Sequence, residues 1–152
     1  MSATPESVQL FIGRTCLALD DEDFDQFLAS CASDFSYRVS TFSPELGKEM
    51  VWLEHGREGY ESMVRMLPKH VRMDGRFSRN AIVCDVKYSE SDRATVISRL
   101  TVVHTNACGE SRMLLTGRYL DTLDLSGSSP VLAAREVRLE TRDLGPGIHA
   151  PI

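Results

Sequence analysis

Residues 94–141 read ATVISRLTVVHTNACGESRMLLTGRYLDTLDLSGSSPVLAAREVRLET. Three long segments rich in Val, Ile, Leu and Thr stand out: Ala94 to Thr105, Met113 to Leu123, and Val131 to Thr141. Such residues fit a pleated, half-buried surface. The breaks between them, Asn106-Ala107-Cys108-Gly109 and Ser126-Gly127-Ser128-Ser129-Pro130, are made of turn formers. A parallel return needs a dozen residues or more, so strands joined this tightly run antiparallel. Upstream, Ile82, Cys84, Val86 and Tyr88 alternate as one face of a further strand, closed by the turn Glu90-Ser91-Asp92. The stretch predicts an antiparallel meander whose long strands curl through their intrinsic twist.

Working toward the N-terminus, the period changes. Thr4-Pro5-Glu6 reads as a helix start, with a capping hydroxyl, proline in the first turn and an acid at the positive end of the dipole. Val8, Phe11, Ile12, Thr15, Cys16 and Leu19 follow at helical spacing. The acidic run Asp20-Asp21-Glu22-Asp23 breaks the pattern as a solvated cap, and opens a second helix with Phe24, Phe27, Leu28 and Cys31 on one face. Phe35, Tyr37 and Val39 then alternate as a strand, and Met50 to Leu53 returns as its partner carrying the only tryptophan, Trp52. Tyr60, Met63, Val64 and Leu67 mark a third helix, which Pro68 ends or kinks. The reading is one domain over 1–152, with helices in 5–31 and 58–70, strands in 35–55 and 77–143, and a docked tail over 144–152. Helices gathered on one face of a curved, antiparallel or mixed sheet of about six strands make an α+β architecture. The order resembles the cone-shaped (cystatin-like) fold of nuclear transport factor 2, ketosteroid isomerase and SnoaL-like cyclases.

Bulk properties exclude several partners. The 152 residues are 42% hydrophobic and 26% charged, a globular rather than disordered balance. A net charge of -5 without any basic block argues against nucleic acid and against anionic membrane surfaces. No stretch approaches the roughly 20 apolar residues that span a bilayer. Leu10-Phe11-Ile12 is too short for a signal segment, so a cytoplasmic protein is expected. Cys16, Cys31, Cys84 and Cys108 form no Cys-x-x-Cys pair and are expected to be partly buried free thiols.

A cone can hold a pocket between helices and sheet, so catalytic constellations were sought. An isomerase-like site needs a carboxylate base on the first strand. Tyr37 is present there, but no acid lies between Phe35 and Val39, and Asp34 reads as a loop or cap residue. His55, His70, His104 and His149 stand singly, without metal-ligand spacing. Gly56-Arg57-Glu58-Gly59 lacks the lysine of a phosphate loop and reads as a strand-to-helix turn. Two arginines fall among core-like residues. Arg99 lies beside Val96, Ile97, Leu100 and Val102, and Arg135 shares parity with Val131, Ala133, Val137 and Leu139. Either binds a substrate anion, or pairs with an acid such as Glu136 or Asp121. A stand-alone isomerase, cyclase or dehydratase of this fold would use Tyr37, Arg99 and Arg135. A ligand-binding homodimer is the other open alternative. The apolar tail, with Ile148, His149, Pro151 and Ile152, and the tryptophan Trp52 are candidates for a subunit interface.

The chain resembles the small (beta) subunits of Rieske non-haem iron ring-hydroxylating oxygenases over nearly its whole length. The resemblance is carried by Asp20-Asp21-Glu22-Asp23-Phe24-Asp25 before a tyrosine-containing strand, and by the helix Glu58 to Met66 with Arg65 near its end. It continues through Phe77-Ser78-Arg79-Asn80 and the close Val137-Arg138-Leu139-Glu140-Thr141-Arg142-Asp143-Leu144, Pro146, then Pro151-Ile152. The second helix lacks the usual tryptophan, a departure that bears on the substrate branch. The resemblance implies a chain with no cofactor, metal or catalytic residue of its own. It also implies a catalytic large subunit carrying a Rieske [2Fe-2S] cluster and a mononuclear Fe(II). Further implications are an α3β3 hexamer, contacts between small subunits, and NAD(P)H as the ultimate electron donor for mono- or dioxygenation.

Overall fold

Thr4 caps the first helix as its sequence indicates. Its hydroxyl accepts the Ser7 N–H at 3.2 Å while the Ser7 hydroxyl accepts the Thr4 N–H at 2.9 Å. The structure, a computed structural model, describes residues 3–145 and 150–152. Its elements are helices α1 (Pro5–Asp20), α2 (Phe24–Ala29) and α3 (Arg57–Met66), and strands β1 (Cys31–Ser43), β2 (Lys48–Gly56), β3 (Arg76–Tyr88), β4 (Arg93–Thr105), β5 (Ser111–Asp124) and β6 (Val131–Leu139). Their order is the expected one. A single 3-10 turn, Leu67–Lys69, follows α3 where Pro68 removes a helical N–H.

All six strands join one sheet in the order β2-β1-β6-β5-β4-β3. The predicted meander is β3 to β6, every neighbour antiparallel. The β1–β2 hairpin is added by a parallel pairing of β1 with β6, so the sheet is mixed. The helices cover one face, called inner here. Val8, Ile12, Thr15, Cys16 and Leu19 of α1 recur at helical spacing and are buried against it.

Bulges correct the expected faces of two strands, because each extra residue swaps the faces of the strand beyond it. On β3, Val83 pairs with Ser98 and Asp85 with Ile97, leaving Cys84 as the extra residue. The inner residues ahead of it are therefore Phe77, Arg79, Ala81 and Val83, while Ile82 points outward, 65% exposed. On β6, Thr122 faces Ala134 and Leu123 faces Leu132, so Ala133 is extra and Leu132, not Val131, enters the core. Trp52 occupies the same position on the edge strand β2, between Leu53 opposite Val39 and Val51 opposite Ser40. A bulge of this kind twists an exposed edge away from further pairing. The thiols also divide: Cys16 and Cys31 are buried, Cys84 and Cys108 exposed.

The acidic run does more than cap. Asp23 accepts the Gln26 N–H and starts α2. The other three acids meet arginines of the 72–79 segment: Asp20 with Arg79, Asp21 with Arg76, Glu22 with Arg72. The turn between α1 and α2 is thereby fastened to β3.

Candidate functional site

Burial on the inner face brings Tyr37 of β1, Asp121 of β5 and Arg135 of β6 into one cross-strand row. Arg135 Nε donates to Asp121 Oδ1 at 2.8 Å and Nη2 to Oδ2 at 2.9 Å. Nη2 also reaches Thr15 Oγ1 at 3.1 Å, and the guanidinium lies 3.8 Å from the centre of the Tyr119 ring. Both charged side chains are wholly inaccessible. Burial opposes the charge on Arg135, but the Asp121 carboxylate and Tyr119 more than restore it, so its pKa stands above the ordinary value. Of the two acids named as partners, Asp121 has the matching inward parity. Glu136 points outward and accepts from Ser40 and Arg138.

Tyr37 is also committed. Its ring packs edge-on to Tyr60 at 5.1 Å, and its hydroxyl accepts the Ile152 N–H at 3.0 Å. Burial pushes the hydroxyl up to about 12, so it stays protonated near neutrality. The last residues of the sequence pack against this interior. Ile152 is core, 6% exposed, and Arg79 donates to the Pro151 carbonyl while holding Asp20 on α1 at 2.8 Å. Sequence reading missed this Asp20–Arg79 clasp, although Arg79 shares inward parity with Phe77 and Ala81.

Arg99 does not join this interior. The inner residues of β4 are Ala94, Val96, Ser98, Leu100 and Val102, so Arg99 falls on the outer face and is exposed. The other candidates are scattered: Trp52 is 44% exposed on the sheet edge, Pro151 and Ile152 are buried, and Ile148 and His149 lie outside the described residues.

Among the described residues no helix covers the outer face, which is crossed by side-chain rows. One runs Asp85, Ile97, Leu120, Glu136, Arg38, Glu54 across all six strands. It lines a trough of about 360 Å³, walled by acids at both ends and floored by Ile97 and Leu120. Among the described residues no group of three or more His, Cys, Asp or Glu is placed to hold a metal ion. No helix among them is long and apolar enough to cross a membrane.

No family model matches the chain. The beta subunit of the methanesulfonate monooxygenase hydroxylase of Methylosulfonomonas methylovora is 33% identical, covering 97% of this chain and 86% of its own. The beta subunit of 2-aminobenzenesulfonate 2,3-dioxygenase of an Alcaligenes species is 32% identical, covering 96% and 97%. This chain belongs to the beta subunits of Rieske-type ring-hydroxylating oxygenases. Among solved structures, the beta subunit of benzoate 1,2-dioxygenase from Burkholderia mallei superposes with a TM-score of 0.79 at 20% identity, covering 99% of both chains. The shared fold extends over the sheet and all three helices. As an oxygenase beta subunit, the chain is the non-catalytic member of an oxidoreductase complex, and the partner it implies is an alpha subunit.

Proposed function

We propose that this small subunit, acting over residues 1–152 as one unit, holds catalytic large subunits in a cytoplasmic α3β3 oxygenase. The large chain carries the Rieske [2Fe-2S] cluster and the mononuclear Fe(II), fed with electrons that originate in NAD(P)H. Those groups supply oxygen activation. This chain's residues supply only shape and contact.

The observation that carries the reading is identity of 33% and 32% to two oxygenase beta subunits, over 97% and 96% of this chain. The geometry agrees: the interior row pairs within the chain, Arg135 with Asp121 and Tyr37 with Ile152, and among the described residues no helix covers the outer sheet face. Both relatives are named for sulfonate substrates, so the substrate of this complex is proposed to be an organosulfonate, bound in the large chain. Trp52, half-exposed on the free edge strand, lies at the subunit interface. Pro151 and Ile152 serve it indirectly by fixing the inner face.

The test is purification of the tagged chain from its native host. A red-brown eluate containing a larger chain with Cys-x-His and Cys-x-x-His motifs, active on an alkyl- or arylsulfonate, is expected. A colourless protein without a companion chain overturns the reading.

A further inference from the structure

Register sets three arginines directly opposite one another on the outer face: Arg99 of β4, Arg118 of β5 and Arg138 of β6. Neighbours so placed have Cβ atoms roughly 5 Å apart, and like charges there are destabilising. The chain is not short of acids to relieve them, with 22 Asp and Glu against 17 Lys and Arg. Some other surface arginines do find acids: Arg38 pairs with Glu54, Arg57 with Glu61 and Arg142 with Glu45. Among the described residues Arg14, Arg65, Arg93 and Arg112 form no ion pair either; what sets Arg99 and Arg118 apart is that they stand side by side. Within the row, Arg138 meets Glu136 at 3.2 Å and Glu49 at 3.9 Å. Among the described residues neither Arg99 nor Arg118 has an ion-pair partner.

The surroundings are those of a contact surface. The row ends in apolar side chains at both sheet edges, Ile82 (65% exposed) opposite Arg99 and Val51 (49% exposed) opposite Ser40. Beside it a recess of about 360 Å³ is walled by Arg118, Arg138, Arg142 and the half-exposed Phe42, with Glu49 and Glu140 also on its lining. Arginine and aromatic side chains set among aliphatics are the composition of interface hot spots. A two-fold contact that laid this row on itself would stack arginine on arginine, so the row calls for an acidic counterpart.

We infer that the Arg99–Arg118–Arg138 row and the recess at Phe42 dock an acidic segment of the large subunit. This rests on the small-subunit reading above. Carboxylates from the partner would take up the free guanidinium donors of Arg99 and Arg118, which accept planar two-oxygen groups in a bidentate manner.

The test compares parent, R99E, R118E and R99E/R118E small subunits, each mixed with the large subunit purified from the native complex. Binding is followed by analytical ultracentrifugation at low and high salt, and thermal unfolding of each small subunit alone is recorded. The inference expects R118E to unfold no earlier than the parent, because a glutamate between two arginines relieves repulsion. It expects R118E to bind the large subunit at least about tenfold more weakly, and parent binding to fall with salt. Should R118E fold poorly, R99E and the salt dependence of the parent decide the matter. Unchanged binding by a folded R118E overturns the inference. So does loss of contact between small subunits with the large chain still bound, which would make a second copy the occupant. A parent that binds no large chain at all contradicts the small-subunit reading itself, and this inference with it.

Discussion

Arg135 shows how a single side chain can look like a ligand and serve as structure. Its inward parity and two acid partners could be read from the strand pattern; the choice of Asp121 followed only from the exact pairing of β5 with β6. Removing one member of a buried pair leaves an uncompensated charge. We therefore expect Asp121→Ala to destabilise by about 3–5 kcal/mol in urea unfolding, and Asp121→Leu with Arg135→Met to be neutral or stabilising. Arg99 was misplaced because alternation in a strand dense with aliphatics does not say which parity is inner; Ile97 and Val103, its outer-face companions, are as apolar as the core. The cysteines separate in the same way. Burial pushes the Cys31 thiol up to about 12 and raises Cys16 as well, so both stay protonated at pH 8, where the thiolate is the reactive form. Iodoacetamide at that pH is expected to add to Cys84 and Cys108 in the folded protein and to all four thiols in urea. Intact mass reads the count, and rapid labelling of four thiols in the native state would contradict the core assignment.

At the scale of elements, the count and order of helices and strands were legible because apolar spacing switches cleanly between helical and alternating periods. Bulges were not, since one inserted residue such as Cys84 or Ala133 leaves no compositional mark while reversing the faces beyond it. Gly117 depends on a register of this kind. A Cβ there would stand 2.4 Å from the Arg138 carbonyl oxygen on β6, so Gly117→Ala forces β5 and β6 apart. A loss of about 1–3 kcal/mol is expected, comparable to other overpacked sites, and thermal unfolding measures it. The C-terminal residues are a second case. Their apolar character was visible, but the sequence alone left their destination open, and they seat on Tyr37 and Arg79 of their own chain. Deleting Ala150 to Ile152 uncovers a core side chain and two hydrogen-bonded partners. We expect the isolated subunit to lose about 2–4 kcal/mol, with increased binding of a hydrophobic dye; unchanged stability would remove the tail from the core.

For the whole molecule, the fold divides labour between two faces. The inner face meets its helices and the last residues through contacts such as the Arg135–Asp121 pair and the Tyr37–Ile152 hydrogen bond. The outer face keeps an uncovered sheet with the Asp85-to-Glu54 trough and the arginine row. A scaffold needs this asymmetry: rigidity on one side, recognition on the other. Family membership was accessible from the sequence through the order of weak motifs, whereas the arginine row was not, because its arginines are far apart in the chain and meet only through register. The central claim is that this chain is the small subunit of a hetero-oligomeric oxygenase. Native mass spectrometry of the complex carried by the tagged chain tests it most directly. We expect one assembly with equal numbers of this chain and a larger iron-containing chain, three of each, and no iron in free copies of this chain. A monomer or homodimer of this chain alone, under conditions that preserve known oxygenase complexes, would contradict it.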